Sequence, residues 1–156
     1  MDDVVAQVKA QWEDLRGRTY DFLDVITPDD LIKKLPFPDS QSLYYQLDCM
    51  LGTTETFADF IRTGEWERWH CSLPNHVDSV PIEQIREHMK QSDEQLLKTF
   101  NAENLLIKQQ DTTSPLQKYM RLVEHESHHQ GQLINFIYAL NLPIPYSWEE
   151  TWELTR

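Results

Sequence analysis

Apolar residues recur every three or four positions over most of the chain, the spacing that collects them on one face of an α-helix. Val4, Val5, Val8, Trp12, Leu15, Phe22 and Leu23 form the first such series, with Asp2 and Asp3 at the end where a helix dipole favours acids. Leu43, Leu47, Met50, Leu51, Phe57, Ala58 and Ile61 form the second. There Asp48, Gly52, Glu55 and Asp59 fall on the opposite side, expected to be solvated, while Gln46, Cys49 and Thr53 flank the stripe. A third helix opens at Pro81-Ile82-Glu83 and carries Ile82, Ile85, Met89, Leu96 and Leu97. The fourth has Leu116, Tyr119, Met120 and Val123, then Leu133, Ile134 and Ile137. No stretch alternates as a strand would. Four substantial amphipathic helices predict an all-α four-helix bundle, folded as a single domain over residues 1–156.

Turn chemistry supplies the boundaries. Thr27-Pro28-Asp29-Asp30 stops the first helix and starts a short extra one, with Thr27 as cap and Asp30 closing a capping box. Leu35-Pro36-Phe37-Pro38 reads as a rigid extended linker, after which Asp39 or Ser40 caps a helix ending near Thr63-Gly64. Residues 64–80 make a long connection whose Trp66 and Trp69 are expected to pack against the body. Thr112-Thr113-Ser114-Pro115 holds a cap and a first-turn proline for the fourth helix. After Pro145, a short C-terminal helix is expected, with Ser147 and Glu150 as a capping box and Trp148 stacked on Trp152.

The fourth helix breaks its own pattern. From His125 to Gln132 (His-Glu-Ser-His-His-Gln-Gly-Gln) no large apolar side chain occurs. Imidazoles where a bundle helix should be apolar carry a desolvation cost that partners must offset, and a metal ion is one such partner. His125 and His129 are four residues apart and share a helix face, as two ligands of one ion do; His128 lies on a neighbouring face. Gly131, inside the helix, suggests the close approach of another backbone. Such histidine pairs also occur on solvated helices without metal.

Charge narrows the partners. With 14 Lys+Arg against 26 Asp+Glu the net charge is −12, which argues against nucleic acid or an anionic membrane surface and suits a cation as ligand. Two cysteines, Cys49 and Cys71, imply no disulfide framework. The acidic start and the lack of a spanning apolar run predict a cytoplasmic protein.

His125-Glu126-Ser127-His128-His129 also matches H-E-x-x-H, the zinc peptidase signature with Glu126 as general base. The extended form of that motif needs a glycine and a third histidine where this chain has Gln132 and Asn135, and the expected edge strand is missing. The stretch from His125 through Gln130-Gly131-Gln132-Leu133, followed by Leu142-Pro143-Ile144-Pro145, more closely resembles the last helix of the DinB/YfiT-like superfamily, H-x-x-x-H-x-G-Q-L with a proline-bearing exit. The resemblance extends to Asp29-Asp30-Leu31, Leu35-Pro36, the second helix and the overall length. It implies an up-down-down-up bundle, often dimeric, with a divalent ion held by one histidine of helix two and two of the last helix. The last two positions match His125 and His129; the first is occupied by Cys49. A thiolate ligates zinc well, so the implied site is Cys49, His125 and His129 with zinc or nickel, unless Cys49 is a packing residue. His70, His76, His88 and Cys71 are reserve ligands.

Three functional readings follow. The resemblance implies a metal-dependent enzyme, a thiol-dependent S-transferase or a hydrolase, acting on a small molecule with a low-molecular-weight thiol, as a homodimer. A metal-binding or stress-associated protein without turnover is the second. A metal-free bundle acting through its dimer surface is the third.

Overall fold

A computed structural model describes residues 1–74 and 80–156, and its regular structure is helical. Five α-helices occur among the described residues: α1 (Asp2–Val25), α2 (Leu43–Thr63), α3 (Ile82–Thr99), α4 (Pro115–Ala139) and the short α5 (Tyr146–Trp152), with a 3₁₀ turn at Pro28–Asp30. Among these residues no strand forms, only an isolated bridge between Lys34 and Ser42. None of the helices is long and apolar enough to cross a membrane. The segment α2 packs mainly on α3 and α4, while α1 closes against α3, α4 and α5.

Local chemistry explains most boundaries. The Asp30 carboxylate accepts from both the backbone N–H and the hydroxyl of Thr27, each at 2.8 Å. Ser114 and Gln117 cap α4 reciprocally, with Pro115 in its first turn. Gly64 ends α2 at φ 79°, a left-handed position that glycine adopts without a Cβ penalty.

Several expectations need correction. Ser42, and not Asp39 or Ser40, caps α2, accepting from the Tyr45 N–H at 3.2 Å. Ser40 instead accepts from the Leu35 N–H, because residues 35–40 fold into a tight turn where an extended linker was expected. Ser147 lies inside α5 and donates to Asp21 at 2.5 Å, so it makes no capping box with Glu150. Trp148 and Trp152 meet edge to face, at 84°, and are not stacked. Gly131 is exposed, and a Cβ there would meet nothing within 4 Å, so no backbone approaches it. Gly52 is buried, because Trp69 of the long connection lies across it.

The core has two apolar halves. One gathers Trp12, Leu15, Ala58, Leu96, Tyr119 and Leu122; the other gathers Phe22, Met50, Leu51, Met89, Leu133 and Trp148. Between them each long helix contributes polar residues: Arg16 and Thr19 from α1, Thr54 from α2, Asp93 from α3, Glu126 and Gln130 from α4. Arg16 Nε donates to Asp93 at 3.0 Å, while its two Nη groups reach Glu126 at 3.1 Å and Thr54 at 2.6 Å. Trp12 and Tyr20 also donate to Asp93, and Thr19 donates to Glu126. Burial works against the guanidinium charge, but Asp93 and Glu126 more than offset it and hold the Arg16 pKa above its usual value. The polar break seen in α4 is therefore one part of a belt crossing the molecule. Its other part is the histidine cluster.

Candidate metal centre

His125 and His129 project from α4 toward α2, where Gln46, Cys49 and Thr53 occupy successive turns of the facing helix. The two Nε2 atoms lie 3.2 Å apart, and His125 Nε2 is 3.6 Å from Cys49 Sγ. All three candidate donor atoms fall within 4.8 Å of one another. Zinc bonds of about 2.0–2.1 Å to nitrogen and about 2.3 Å to sulfur, at tetrahedral angles, place nitrogen pairs about 3.3 Å apart and nitrogen–sulfur pairs about 3.6 Å apart. The two donor pairs that include His125 already hold those separations, so the residues fit a small divalent ion. Among the described residues no other group of three His, Cys, Asp or Glu side chains converges in this way.

Electrostatics keep the donors free of charge when no ion is present. Burial, then the neighbouring His125 and His128, lowers the His129 pKa to about 4. His125 is pushed down as well, by burial, His128 and Arg16. Burial raises the Cys49 thiol pKa, only partly countered by a hydrogen bond to Thr53. Two imidazoles and a thiol thus present lone pairs or exchangeable protons without fixed charge. His129 Nδ1 is 2.8 Å from Gln46 Oε1, whereas His125 Nδ1 is buried without a partner among the described residues.

The reserve ligands lie elsewhere. His128 is exposed, its Nε2 2.7 Å from the Gln132 amide nitrogen. His70 binds along Thr56, and His88 Nδ1 lies 2.6 Å from the Ser72 hydroxyl. Cys71 is half-buried, and burial raises its thiol pKa. None of these joins the converging group, and His76 lies outside the described residues. Glu126 is fully buried, and its Oε1 is engaged by Arg16 and Thr19 of α1. Burial raises its pKa against the opposing effect of Arg16 and Thr19.

The cluster opens into a cavity of about 580 Å³ whose apolar wall includes Leu35, Phe37, Tyr45 and Phe136, with Gln41, Gln132 and Asn135 offering amides. Sequence reading passed over the Arg16–Asp93–Glu126 network. A signal existed: Arg16 follows Trp12 by four residues and so sits in the apolar stripe of α1. No family model matches the chain, and a search of curated proteins found no match.

Proposed function

We propose that the chain is a metal-dependent enzyme built as a DinB/YfiT-like four-helix bundle, with a divalent ion (zinc or nickel) held by Cys49, His125 and His129. The supporting observation is the pair of donor separations, 3.2 Å between imidazoles and 3.6 Å from imidazole to thiol. A divalent ion with three protein donors supplies Lewis acidity, lowering the pKa of a thiol or water and polarising a carbonyl. The chain's own residues do the rest. Gln46 orients His129, and burial holds the Cys49 thiol in its protonated form in the metal-free protein, from which it would ligate a divalent ion as the thiolate. Leu35, Phe37, Tyr45 and Phe136 give a small organic substrate an apolar wall beside the donors, which favours an S-transferase or hydrolase over a purely storage role.

Two observations weigh against the peptidase reading. Glu126 is committed to Arg16 and Thr19, and no strand lies beside α4 among the described residues to hold a peptide. The test is metal analysis of protein purified without a polyhistidine tag, followed by thiol-transfer and hydrolysis assays. About one ion per chain, lost in Cys49→Ser and His129→Ala together with turnover, is the expected result. Full metal content in the double variant would overturn the assignment. Metal without turnover across a broad substrate panel would favour the non-catalytic reading.

A further inference from the structure

Tyr45, Asp48, Cys49 and Gly52 follow one another on α2 at intervals of three, one and three residues, so they lie along one strip of the helix. The glycine has a specific role. A Cβ at Gly52 would collide with Trp69 Cζ2 and lie 2.8 Å from the His70 carbonyl oxygen. A mid-helix glycine lowers helix stability, and here it permits the indole of Trp69 to sit directly on α2. Ser72 secures the same connection by donating its N–H and hydroxyl to Glu55 at 2.8 and 2.5 Å.

Two aromatic rings and one carboxylate thus share one surface of α2 and its connection. Tyr45, Asp48 and Trp69, with Cys49, line a second cavity of about 370 Å³. Tyr45 and Trp69 are each 46% exposed, so both rings are open to a ligand. Asp48 is half-buried; its carboxylate accepts a hydrogen bond from the Cys71 thiol, and among the described residues no ion pair includes it. The larger cavity on the other side of Cys49 has no lysine or arginine in its lining, and its one acid is Asp39. Neither lining offers a lysine or arginine to an anionic ligand. A cation finds one carboxylate and two aromatic side chains lining the same cavity.

We propose that Tyr45, Asp48 and Trp69 form a subsite for the ammonium group of a small aminothiol whose sulfur reaches the Cys49–His125–His129 cluster. This deepens the metal-centre reading and rests on it for the sulfur end, while the ammonium end stands on the aromatic pair and Asp48 alone. A carboxylate in place of the ammonium would meet Asp48, with no lysine or arginine in the lining of this cavity.

The test compares three thiols of similar size on zinc-loaded protein by titration calorimetry: cysteamine, 2-mercaptoethanol and mercaptoacetate. Cysteamine is expected to bind at least tenfold tighter than 2-mercaptoethanol, while mercaptoacetate, whose carboxylate can reach the ion itself, is the chelation control. Asp48→Asn should collapse this preference. Trp69→Leu and Gly52→Ala, the latter unseating the indole, should each weaken cysteamine severalfold with zinc content unchanged. Equal affinities for cysteamine and 2-mercaptoethanol, or a preference indifferent to all three substitutions, would overturn the proposal. A second arm separates it from the metal reading: metal-free protein is titrated with propylammonium and with propionate, following tryptophan fluorescence against the Trp69→Leu control. Saturable binding of propylammonium alone supports the subsite even if zinc fails to bind. No propylammonium binding overturns the subsite even if zinc binds stoichiometrically.

Discussion

Gln46 Oε1 accepts a hydrogen bond from His129 Nδ1–H at 2.8 Å, across 83 residues of sequence. That bond decides which ring nitrogen is available. With the proton on Nδ1, the Nε2 lone pair of His129 faces His125 and Cys49, the state a metal ligand requires. His125 has no such support at Nδ1 among the described residues. The two histidines are therefore unequal, although they look equivalent in the sequence.

Removing the orienting amide should weaken the site without unfolding the chain. Gln46→Leu is expected to lower zinc affinity about 10- to 100-fold, the usual cost of losing a partner behind a metal-bound histidine. Competition with a chromophoric chelator reads this directly, with helicity by circular dichroism as the control. Unchanged affinity would mean that His129 is oriented by packing alone.

Cobalt reports on the thiol. A thiolate ligand gives an intense near-ultraviolet charge-transfer band, which Cys49→Ser should abolish and Cys49→His should replace with a three-histidine spectrum. Because burial raises the thiol pKa, binding must release a proton, and affinity should fall as the pH drops below neutrality. A band that survives Cys49→Ser would remove the thiolate from the site.

Acid should destabilise the metal-free protein through His129. Its pKa is lowered from 6.5 to about 4 in the fold, chiefly by burial and then by His125 and His128. Between those values the unfolded chain carries the extra proton, so this contribution is complete above pH 6.5 and is lost as the pH falls toward 4. Each pKa unit corresponds to about 1.4 kcal/mol. Denaturant unfolding at several pH values should show a shallower acid loss in His129→Gln than in the parent chain. Parallel pH profiles for the two proteins would assign the acid sensitivity elsewhere.

The buried ion cluster should be sensitive to losing its centre. Arg16→Met strands Asp93 and Glu126 without their shared cation, a loss of about 3–5 kcal/mol. Adding Asp93→Asn and Glu126→Gln should recover much of that loss, because the penalty comes from uncompensated charge. Denaturant midpoints of the single and triple variants check this. A triple variant no more stable than Arg16→Met would show that shape, not charge, sets the cost.

Helix existence was legible in the chain because an apolar repeat of three to four residues is a local property. So was the pairing of His125 with His129, since i and i+4 share a face on any helix. The all-helical reading holds for the described residues, and the caps at Thr27 and Ser114 formed where short-range turn chemistry placed them. The contacts that shape the candidate site are not local. Cys49 and His125 are 76 residues apart, and only the packing of α2 on α4 sets their separation and brings Gln46 behind His129. The same limit hid Gly52: helical phase put it on a solvated side, but phase cannot register that Trp69, from a connection outside the helix, comes to lie on it. Gly131 failed in the opposite sense, since a glycine permits close approach without requiring it. Periodicity assigns faces to helices; what each face meets is decided by tertiary packing.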